Sequence, residues 1–559
     1  MLTRREFLGV TAAALGSGLS LPALARQGLS QEDLLAPGKG LGQVTLLHLT
    51  DLHAQLTPLY FREPSVNLGV GAARGKPPHI TGKDFLQHFG VEPGSLQAYM
   101  LSSVDFTALA REYGRVGGLD RIATLVKAVR GERPDSTIFL DGGDFWQGSY
   151  PALASRGGDM VRAMNALGVE ATTGHWEFTY GQERVKELID QLDCPFLAGN
   201  VRDTTWEEPV FDSTTFFERQ GVTVAVIGQA FPYTPIANPR YLIPDWSFGI
   251  REEAVQKSVD AARAKGAQVV VLLSHDGFDV DRKLAGRVQG IDVILTGHTH
   301  DAIPRELDID GTLLVASGSH GKFLSRLDLD VGSTGVRDYR YHLIPVLTDA
   351  IEPDPEMARL VEDIRSPHED RLTEVLGETE SLLYRRGNFN GTLDDLICNA
   401  ILERRDAQIA LSPGFRWGAS LLPGQKITAE DVYDATAITY PETYRSEMSG
   451  EMLKTIFEDV AENLFNEDPY YQQGGDMVRV GGMGYRIDVR ATRGNRISEM
   501  RLLPSGEPIE PGSNYVVSGW ASVNEGTEGP PVYDLVMEHI RDQGTIRIDP
   551  GAQNIKVDA

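Results

Sequence analysis

The chain has 559 residues, of which 41% are hydrophobic and 24% are charged, so it is long enough for two or more globular domains. These proportions exclude a disordered or fibrous protein. The formal net charge of -26 argues against nucleic acid and against an anionic membrane surface as partners. An anionic substrate would therefore need a locally positive site.

The N-terminus has the features of an export signal. Arg4 and Arg5 precede a mildly apolar run, and residues 23–25, Ala-Leu-Ala, supply small side chains for cleavage. We interpret residues 1–25 as a twin-arginine signal peptide, which is typical of proteins that are exported in the folded state. The sequence therefore predicts a periplasmic protein, and no other segment is long and apolar enough to predict a membrane span.

The two cysteines, Cys194 and Cys398, fall in different predicted domains. Neither a disulfide framework nor a cysteine-based metal site is expected from them. We expect both thiols to be buried and to pack as small apolar side chains.

Polar motifs follow the first two predicted strands. The apolar run 43–49 predicts a buried strand, and Asp51 and His53 come directly after it. A carboxylate and an imidazole two residues apart can bind one metal ion together. The next strand, 137–140, is followed by Asp144, whose carboxylate can bridge two metal ions.

Three further motifs continue this pattern along the chain. They are His175 after a predicted helix near 159–167, His275 after the strand 268–273, and Gly297-His298-Thr299-His300 after the strand 291–295. Each motif alone could be a satisfied core or surface histidine. Together, strands that alternate with helices and end in polar residues predict an α/β layered domain with its site along one sheet edge.

The domain boundaries follow from changes in composition. We predict a catalytic domain over 40–345, a charged helical connector over 346–386, and a second α+β unit over 387–559 that supplies no candidate metal ligand. The segment 54–113 interrupts the strand–helix pattern. We interpret it as an insertion near the site, and it could help to dock a partner.

Taken in order, the five motifs resemble those of the calcineurin-like metallophosphoesterases, and the chain after the signal resembles their 5′-nucleotidase branch. Support from the C-terminal half comes from Phe415-Arg416 and the segment 424–432. The resemblance implies an α/β protein with an N-terminal four-layered β-sandwich flanked by helices. A smaller α+β domain of the 5′-nucleotidase type should follow it.

The resemblance also implies two divalent metal ions. One would be bound by Asp51, His53, Asp144 and His300, and the other by Asp144, His175, His275 and His298. Imidazole and carboxylate ligands without a thiolate favour manganese, zinc or iron, and we expect manganese. Such a pair can activate a water molecule as the nucleophile and stabilise the charge that develops on the attacked group.

One position departs from the family pattern. Where the family has Gly-Asn-His-Glu, this chain has Gly174-His175-Trp176-Glu177, so His175 replaces the asparagine ligand. Trp176 stands in place of the histidine thought to assist the leaving group. A phosphate-ester leaving group is a strong base that benefits from protonation, whereas a persulfide can depart unprotonated. Trp176 could equally pack under the metals and exclude water.

The motif 174–181, together with 51–56 and 60–64, resembles the SoxB family of sulfate thiohydrolases of the sulfur-oxidising (Sox) system. That resemblance implies hydrolysis of a cysteine S-thiosulfonate on the arm of a SoxYZ-type carrier protein, which is the expected partner. The expected catalytic residues are His175, Trp176 and Arg416. Arg416 matches a family arginine that contacts the anionic end of the substrate, although a surface or interdomain role for it stays open.

A periplasmic 5′-nucleotidase or related phosphoesterase is the alternative function. Nucleotidases of this branch hold the nucleoside with a Gly-Gly-Asp-Gly-Phe element that is missing from residues 524–530. A third possibility is a non-catalytic carrier-binding or metal-storage protein, against which the presence of all seven ligands argues. For a further set of residues, both a role in the site and simple packing stay open as interpretations. They are Tyr440, Tyr444, Tyr470, Tyr471, His48, His320 and Lys322.

Overall fold

A computed structural model of the chain describes residues 29–35, 40–333, 335–549 and 555–558. The predicted twin-arginine signal, residues 1–25, lies outside these ranges. Across the part of the chain that is described, no helix combines the length and the apolar character needed to cross a bilayer.

The first half of the chain contains two β-sheets. In chain order its strands are β1 Val44–Leu49, β2 Thr137–Asp141, β3 Ala171–Thr172, β4 Arg202–Asp203, β5 Thr214–Arg219, β6 Val222–Gln229, β7 Trp246–Ser247, β8 Val269–Ser274, β9 Val293–Thr296, β10 Leu307–Ile309, β11 Thr312–Ala316, β12 Phe323–Gly332 and β13 Gly335–Pro345. The first sheet has the order β13-β12-β1-β2-β3 and the second the order β10-β11-β9-β8-β6-β5, while β4 and β7 form a separate pair. The strands β1, β2 and β3 run parallel, as do β6, β8, β9 and β11.

The strand β8 is apolar from Val269 to Leu273 and is buried on both faces. In β8, Val271 and Leu273 point into the core between the two sheets, and Val270 and Leu272 point to the outer helices. This explains why the run 268–273 shows no alternation of polar and apolar residues.

Helices cover the outer face of each sheet. In this half they are α1 Gln31–Leu35, α2 Gly82–Phe89, α3 Leu96–Leu101, α4 Phe106–Tyr113, α5 Leu119–Glu132, α6 Tyr150–Ser155, α7 Gly158–Leu167, α8 Gln182–Ile189, α9 Thr234–Ala237, α10 Glu252–Ala264 and α11 Phe278–Ala285. The helices α5 and α7 pack on the first sheet, and α10 and α11 pack on the second. The predicted four-layered β-sandwich flanked by helices is therefore confirmed.

The second half is a smaller α+β unit, as predicted. Its strands are β14 Val375–Thr379, β15 Ile409–Ser412, β16 Lys426–Thr428, β17 Thr443–Ser449, β18 Arg479–Gly481, β19 Met483–Asp488, β20 Ile497–Leu502, β21 Asn514–Trp520, β22 Thr545–Ile546 and β23 Ile555–Asp558. They form sheets of order β16-β14-β22, β17-β21-β15-β18 and β20-β19-β23. The helices from the connector onward are α12 Pro355–Arg365, α13 Glu369–Leu372, α14 Thr392–Arg404, α15 Ala429–Thr436, α16 Gly450–Phe465 and α17 Val532–Gln543.

The segment predicted as the connector, 346–386, divides between the two halves. The helix α12 packs on the layer of α5 and α7 through Met357 and Ile364. The strand β14 pairs with β16 and β22, so the C-terminal sheet already begins at Val375. The sequence predicts the start of the C-terminal unit at residue 387, because a five-residue strand next to a charged helical pattern gives no hydrophobic pattern of its own.

The segment 54–113 lies between the two halves, and its second part carries the helices α2, α3 and α4. Its side chains Phe85, Tyr99 and Phe106 join one apolar cluster with Phe323 of β12 and Leu422 of the C-terminal domain. The segment therefore contributes to the packing of one domain on the other.

The helical layer on the first sheet can be tested by a matched pair of substitutions. Met164 of α7 is fully buried, whereas Met452 of α16 is 53% exposed. We expect Met164→Ala to lower the free energy of unfolding by about 2–5 kcal/mol, because it removes buried methylenes and leaves a cavity. Met452→Ala should change it by less than about 1 kcal/mol in the same denaturant titration. Equal effects would contradict the burial of α7.

Candidate metal centre

The candidate ligands lie at one edge of the sandwich, where five strands end. The residues Asp51 and His53 follow β1, Asp144 follows β2, His175 follows β3, His275 follows β8, and His298 and His300 follow β9. Because the carboxyl ends of parallel strands meet at one edge, motifs far apart in the sequence come together there.

Two groups of four side chains meet at this edge, and all seven residues are buried. The groups are Asp144, His175, His275 and His298, and Asp51, His53, Asp144 and His300. Within each group the possible ligand atoms lie within 4.8 Å of one another. These are the same two sets that the family resemblance implies, and Asp144 belongs to both.

The individual distances show how closely the polar atoms converge. The Asp144 Oδ2 atom lies 3.0 Å from His275 Nε2 and 3.3 Å from His175 Nδ1. The His53 Nε2 and His300 Nε2 atoms lie 3.0 Å apart. Two imidazole nitrogens at that distance repel each other unless a proton or a cation lies between them.

The donor set fits a pair of divalent cations. Burial lowers the pKa of His298 and His300 well below the usual value, so both imidazoles are neutral, as metal ligands must be. Burial also acts against a charge on His275, but the Asp144 and Asp51 carboxylates outweigh it and raise the pKa of His275 to about 10. The two buried carboxylates thus demand positive charge, which bound cations would supply.

The backbone around the centre is strained. A positive φ, which is uncommon for residues other than glycine, occurs at Asp51 (52°), His53 (50°), Asp144 (56°), His298 (72°) and His300 (60°). Such conformations cost of order 1–3 kcal/mol each and persist where the surrounding contacts over-determine them, as they do at functional sites.

Glu177 ties two of the ligand loops together. Its Oε1 atom accepts a hydrogen bond from the Phe145 N–H at 2.7 Å, and its Oε2 atom accepts one from the His175 N–H at 2.7 Å. Burial, reinforced by the Asp144 charge, raises the pKa of Glu177 to about 7. Sequence reasoning quoted this residue in its motif but gave it no role, because its partners are backbone groups of another loop.

An aromatic wall borders the centre. The Phe231 ring stacks on His298 at 4.1 Å between centroids, and the Trp176 ring lies 4.8 Å from that of His175. Trp176 in turn meets Trp417 and Phe415 of the C-terminal domain at 5.0 and 5.2 Å. Phe231 was not predicted as a site residue, although it follows β6 at the same sheet edge as the ligands.

A cleft of about 270 Å³ opens onto the centre between the two domains. Its lining includes Trp176 and Phe231 from the first domain and Phe415 and Val523 from the second. Arg416 also lines it. The Arg416 guanidinium donates through Nη1 to the His298 carbonyl at 3.2 Å and through Nη2 to the Gly475 carbonyl.

His48, Lys322 and His320, whose roles the sequence left open, lie outside the two ligand groups. His48 is buried with its Nδ1 atom 2.7 Å from Ser317 Oγ, and Lys322 donates to Glu63 Oε1 at 2.8 Å. His320 lies beside the centre, with its ring 5.6 Å from that of His53. None of these three belongs to either ligand group.

Of the four tyrosines whose roles the sequence left open, Tyr440 and Tyr470 connect the two domains. The Tyr440 hydroxyl donates to the Ala237 carbonyl at 2.9 Å, and the Tyr470 hydroxyl donates to Glu252 Oε2 at 2.7 Å. The Tyr444 side chain is partly buried on β17, and Tyr471 is 65% exposed. Both cysteines are buried free thiols, as expected.

Comparison with known proteins agrees with the fold and the site. Residues 44–302 match the calcineurin-like phosphoesterases, and residues 375–535 match the 5′-nucleotidase C-terminal domain. The chain belongs to the calcineurin-like metallophosphoesterases that carry a 5′-nucleotidase C-terminal domain, and it is a metal-binding hydrolase of that family.

Three relatives show which members of the family it resembles. The sulfate thiohydrolase SoxB of Thermus thermophilus is 36% identical, with a TM-score of 0.90 over 92% of this chain and 97% of that one. The 5′-nucleotidase precursor of Thermus thermophilus has the same fold, at 21% identity and a TM-score of 0.72 over 92% and 99%. The 5′-nucleotidase of Bos taurus is 25% identical over 491 residues, 79% of this chain and 82% of that protein. The predicted resemblance to SoxB is confirmed.

The membership of Asp144 in both ligand groups can be tested by measuring the metal content of substituted proteins. We expect His53→Ala to retain one tightly bound ion and Asp144→Ala to retain none, because only Asp144 lies in both groups. The measurement is elemental analysis after dialysis against a weak chelator. His48→Ala is the control, since it removes a buried histidine of β1 outside both groups and should keep two ions. Two ions in Asp144→Ala would contradict the assignment.

Proposed function

We propose that the protein is a sulfate thiohydrolase that releases sulfate from a cysteine S-thiosulfonate carried by a SoxYZ-type protein in the periplasm. The proposal is supported by the 36% identity to SoxB over nearly the full length of both chains. We further propose that the chain is exported by the twin-arginine route and uses two manganese ions bound by the seven buried ligands.

The reaction is a hydrolysis at the terminal sulfur. The oxygen of a water molecule bonds to the sulfonate sulfur, and the adjacent sulfur–sulfur bond breaks with its electron pair passing to the departing sulfur. The products are the sulfate dianion, a cysteine persulfide anion and two protons. Divalent ions at the two ligand groups would supply an activated water and positive charge for the group under attack. The chain itself contributes the guanidinium of Arg416 at the cleft, which we propose contacts the sulfonate.

The position of Trp176 is the observation that carries the proposal. Its ring lies beside His175 and is enclosed by Trp417 and Phe415, so an apolar surface stands where the family has a histidine. An indole cannot protonate a departing alkoxide, which phosphate-ester hydrolysis requires for speed. A persulfide is a much weaker base and leaves without a proton. The same apolar surface keeps bulk water from the leaving group.

A 5′-nucleotidase activity is the second candidate. Phe415 stacks on Trp417 at 4.0 Å and lines the cleft, so a flat aromatic surface is present on which a base could lie. On the side of the missing nucleoside element, however, Ala521 and Val523 line the cleft and offer no second aromatic ring. The part of the lining next to the missing nucleoside element is therefore aliphatic and gives a base no second ring from that side.

The deciding experiment compares the two products. The manganese-loaded protein is incubated with a carrier protein whose cysteine bears a thiosulfonate, and separately with a nucleoside monophosphate. We expect sulfate from the first and no phosphate above background from the second. Phosphate without sulfate would replace the proposal by the nucleotidase function.

Trp176 can be tested by two substitutions. We expect Trp176→His to raise phosphate release from a phosphate monoester, by up to about 10²-fold, since it restores a proton donor next to the centre. Trp176→Phe keeps an aromatic wall without a titratable group and should leave phosphate release at the level of the parent. A gain in both variants would show that the size of the side chain matters and that proton donation does not.

A further inference from the structure

Two arginines of the C-terminal domain donate hydrogen bonds to the turn that carries the last two ligands. The Nη1 atom of Arg416 lies 3.2 Å from the His298 carbonyl oxygen, and the Nη2 atom of Arg386 lies 3.2 Å from the His300 carbonyl oxygen. Arg386 is buried, with 6% of its surface exposed, and the Arg416 side chain is largely buried, with 13% exposed. Each histidine of the turn thus has one guanidinium on its carbonyl.

The opposite side of the turn is held by the first domain. The His298 N–H donates to both carboxylate oxygens of Asp51, at 3.0 and 3.1 Å. The turn therefore lies between an N-terminal carboxylate and two C-terminal guanidiniums. Because His298 and His300 both have left-handed backbone conformations, these contacts are what over-determine an otherwise unfavourable turn.

The C-terminal domain fixes the Arg416 guanidinium closely. Gly475 accepts a hydrogen bond from it through its carbonyl, and Asp476 Oδ1 lies 3.7 Å from its Nε atom. Asp476 is itself held by the Arg479 Nη2 atom at 2.9 Å. Gly474 lets this loop lie on the turn, since a Cβ atom there would be 2.0 Å from His298 Nε2.

We propose that Arg386 and Arg416 are positioning residues, each for a different metal ion. Arg416 acts through His298 on the ion bound with Asp144, His175 and His275. Arg386 acts through His300 on the ion bound with Asp51, His53 and Asp144. The C-terminal domain thus governs metal retention although none of its described residues belongs to either ligand group. This inference rests on the dinuclear centre and holds for a thiosulfonate or a phosphate ester alike.

The test uses Mn²⁺ as the probe and metal retention as the readout. Arg386→Met and Arg416→Met keep the length of the side chain and remove its donors, so a buried carbonyl loses its partner. We expect each variant to bind one of its two ions about 10–100-fold more weakly, as is usual when groups that orient metal ligands are removed. Elemental analysis during titration with a chelator measures the loss.

The identity of the ion that is lost distinguishes the two arginines. The electron paramagnetic resonance spectrum should change from that of a coupled pair to that of a single Mn²⁺. The spectrum of Arg416→Met should match that of His175→Ala, and the spectrum of Arg386→Met should match that of His53→Ala. Loss of the same ion in both variants, or no loss in either, would overturn the proposal.

Two controls separate positioning from general destabilisation. Arg445 donates to the backbone carbonyls of Arg405 and Asp406 elsewhere in the same domain, and Arg445→Met should retain both ions. Metal loss there equal to that in the other variants would overturn the proposal. Arg386→Lys and Arg416→Lys keep a hydrogen-bond donor and should retain more metal than the methionine variants. If the methionine variants do not fold, the lysine variants are used in their place.

Discussion

The carboxylate of Asp144 is the group on which the centre depends. One of its oxygens faces His175 and His275, the other accepts a hydrogen bond from the backbone N–H of Trp176, and the residue belongs to both ligand groups. Asp51 lies in the same buried site, and two carboxylates removed from water need positive charge nearby. Bound cations would therefore have two roles in this protein. They would supply the chemistry, and they would offset the cost of burying these carboxylates.

The two sheets make this arrangement possible because their parallel strands end at one edge. The loops beyond that edge hold five of the seven candidate ligands in left-handed backbone conformations, and contacts between neighbouring loops support them. Glu177 joins the loops after β2 and β3, and Asp51 joins the loops after β1 and β9. The candidate ligands thus belong to one connected hydrogen-bond network, in which a change in the position of one loop alters the position of the next.

Local patterns in the sequence predicted the layered fold and brought the seven ligand residues to attention. This was possible because buried strands read as apolar runs, which six of the seven candidate ligands closely follow. The exception is His175, which follows a predicted helix in the sequence and the two-residue strand β3 in the structure. Arg386, Phe231 and Glu177 could not be assigned in the same way. Their roles come from contacts with residues distant in the sequence, and Arg386 falls in the segment predicted as a connector. The start of the C-terminal sheet at Val375 was missed for a similar reason, since its pairing partners lie about fifty and one hundred and seventy residues away.

The spread of the ligands from residue 51 to residue 300 has a consequence for biogenesis. Both ligand groups are complete only once the chain extends through residue 298 or 300, and their members come together only at the edge of the folded sandwich, so the metals would be acquired after that edge has formed. On the twin-arginine route that we propose, the chain would cross the membrane already folded, and the choice between competing metals would then be made in the cytosol. The metal pool of that compartment, and not that of its destination, would decide which element the enzyme carries.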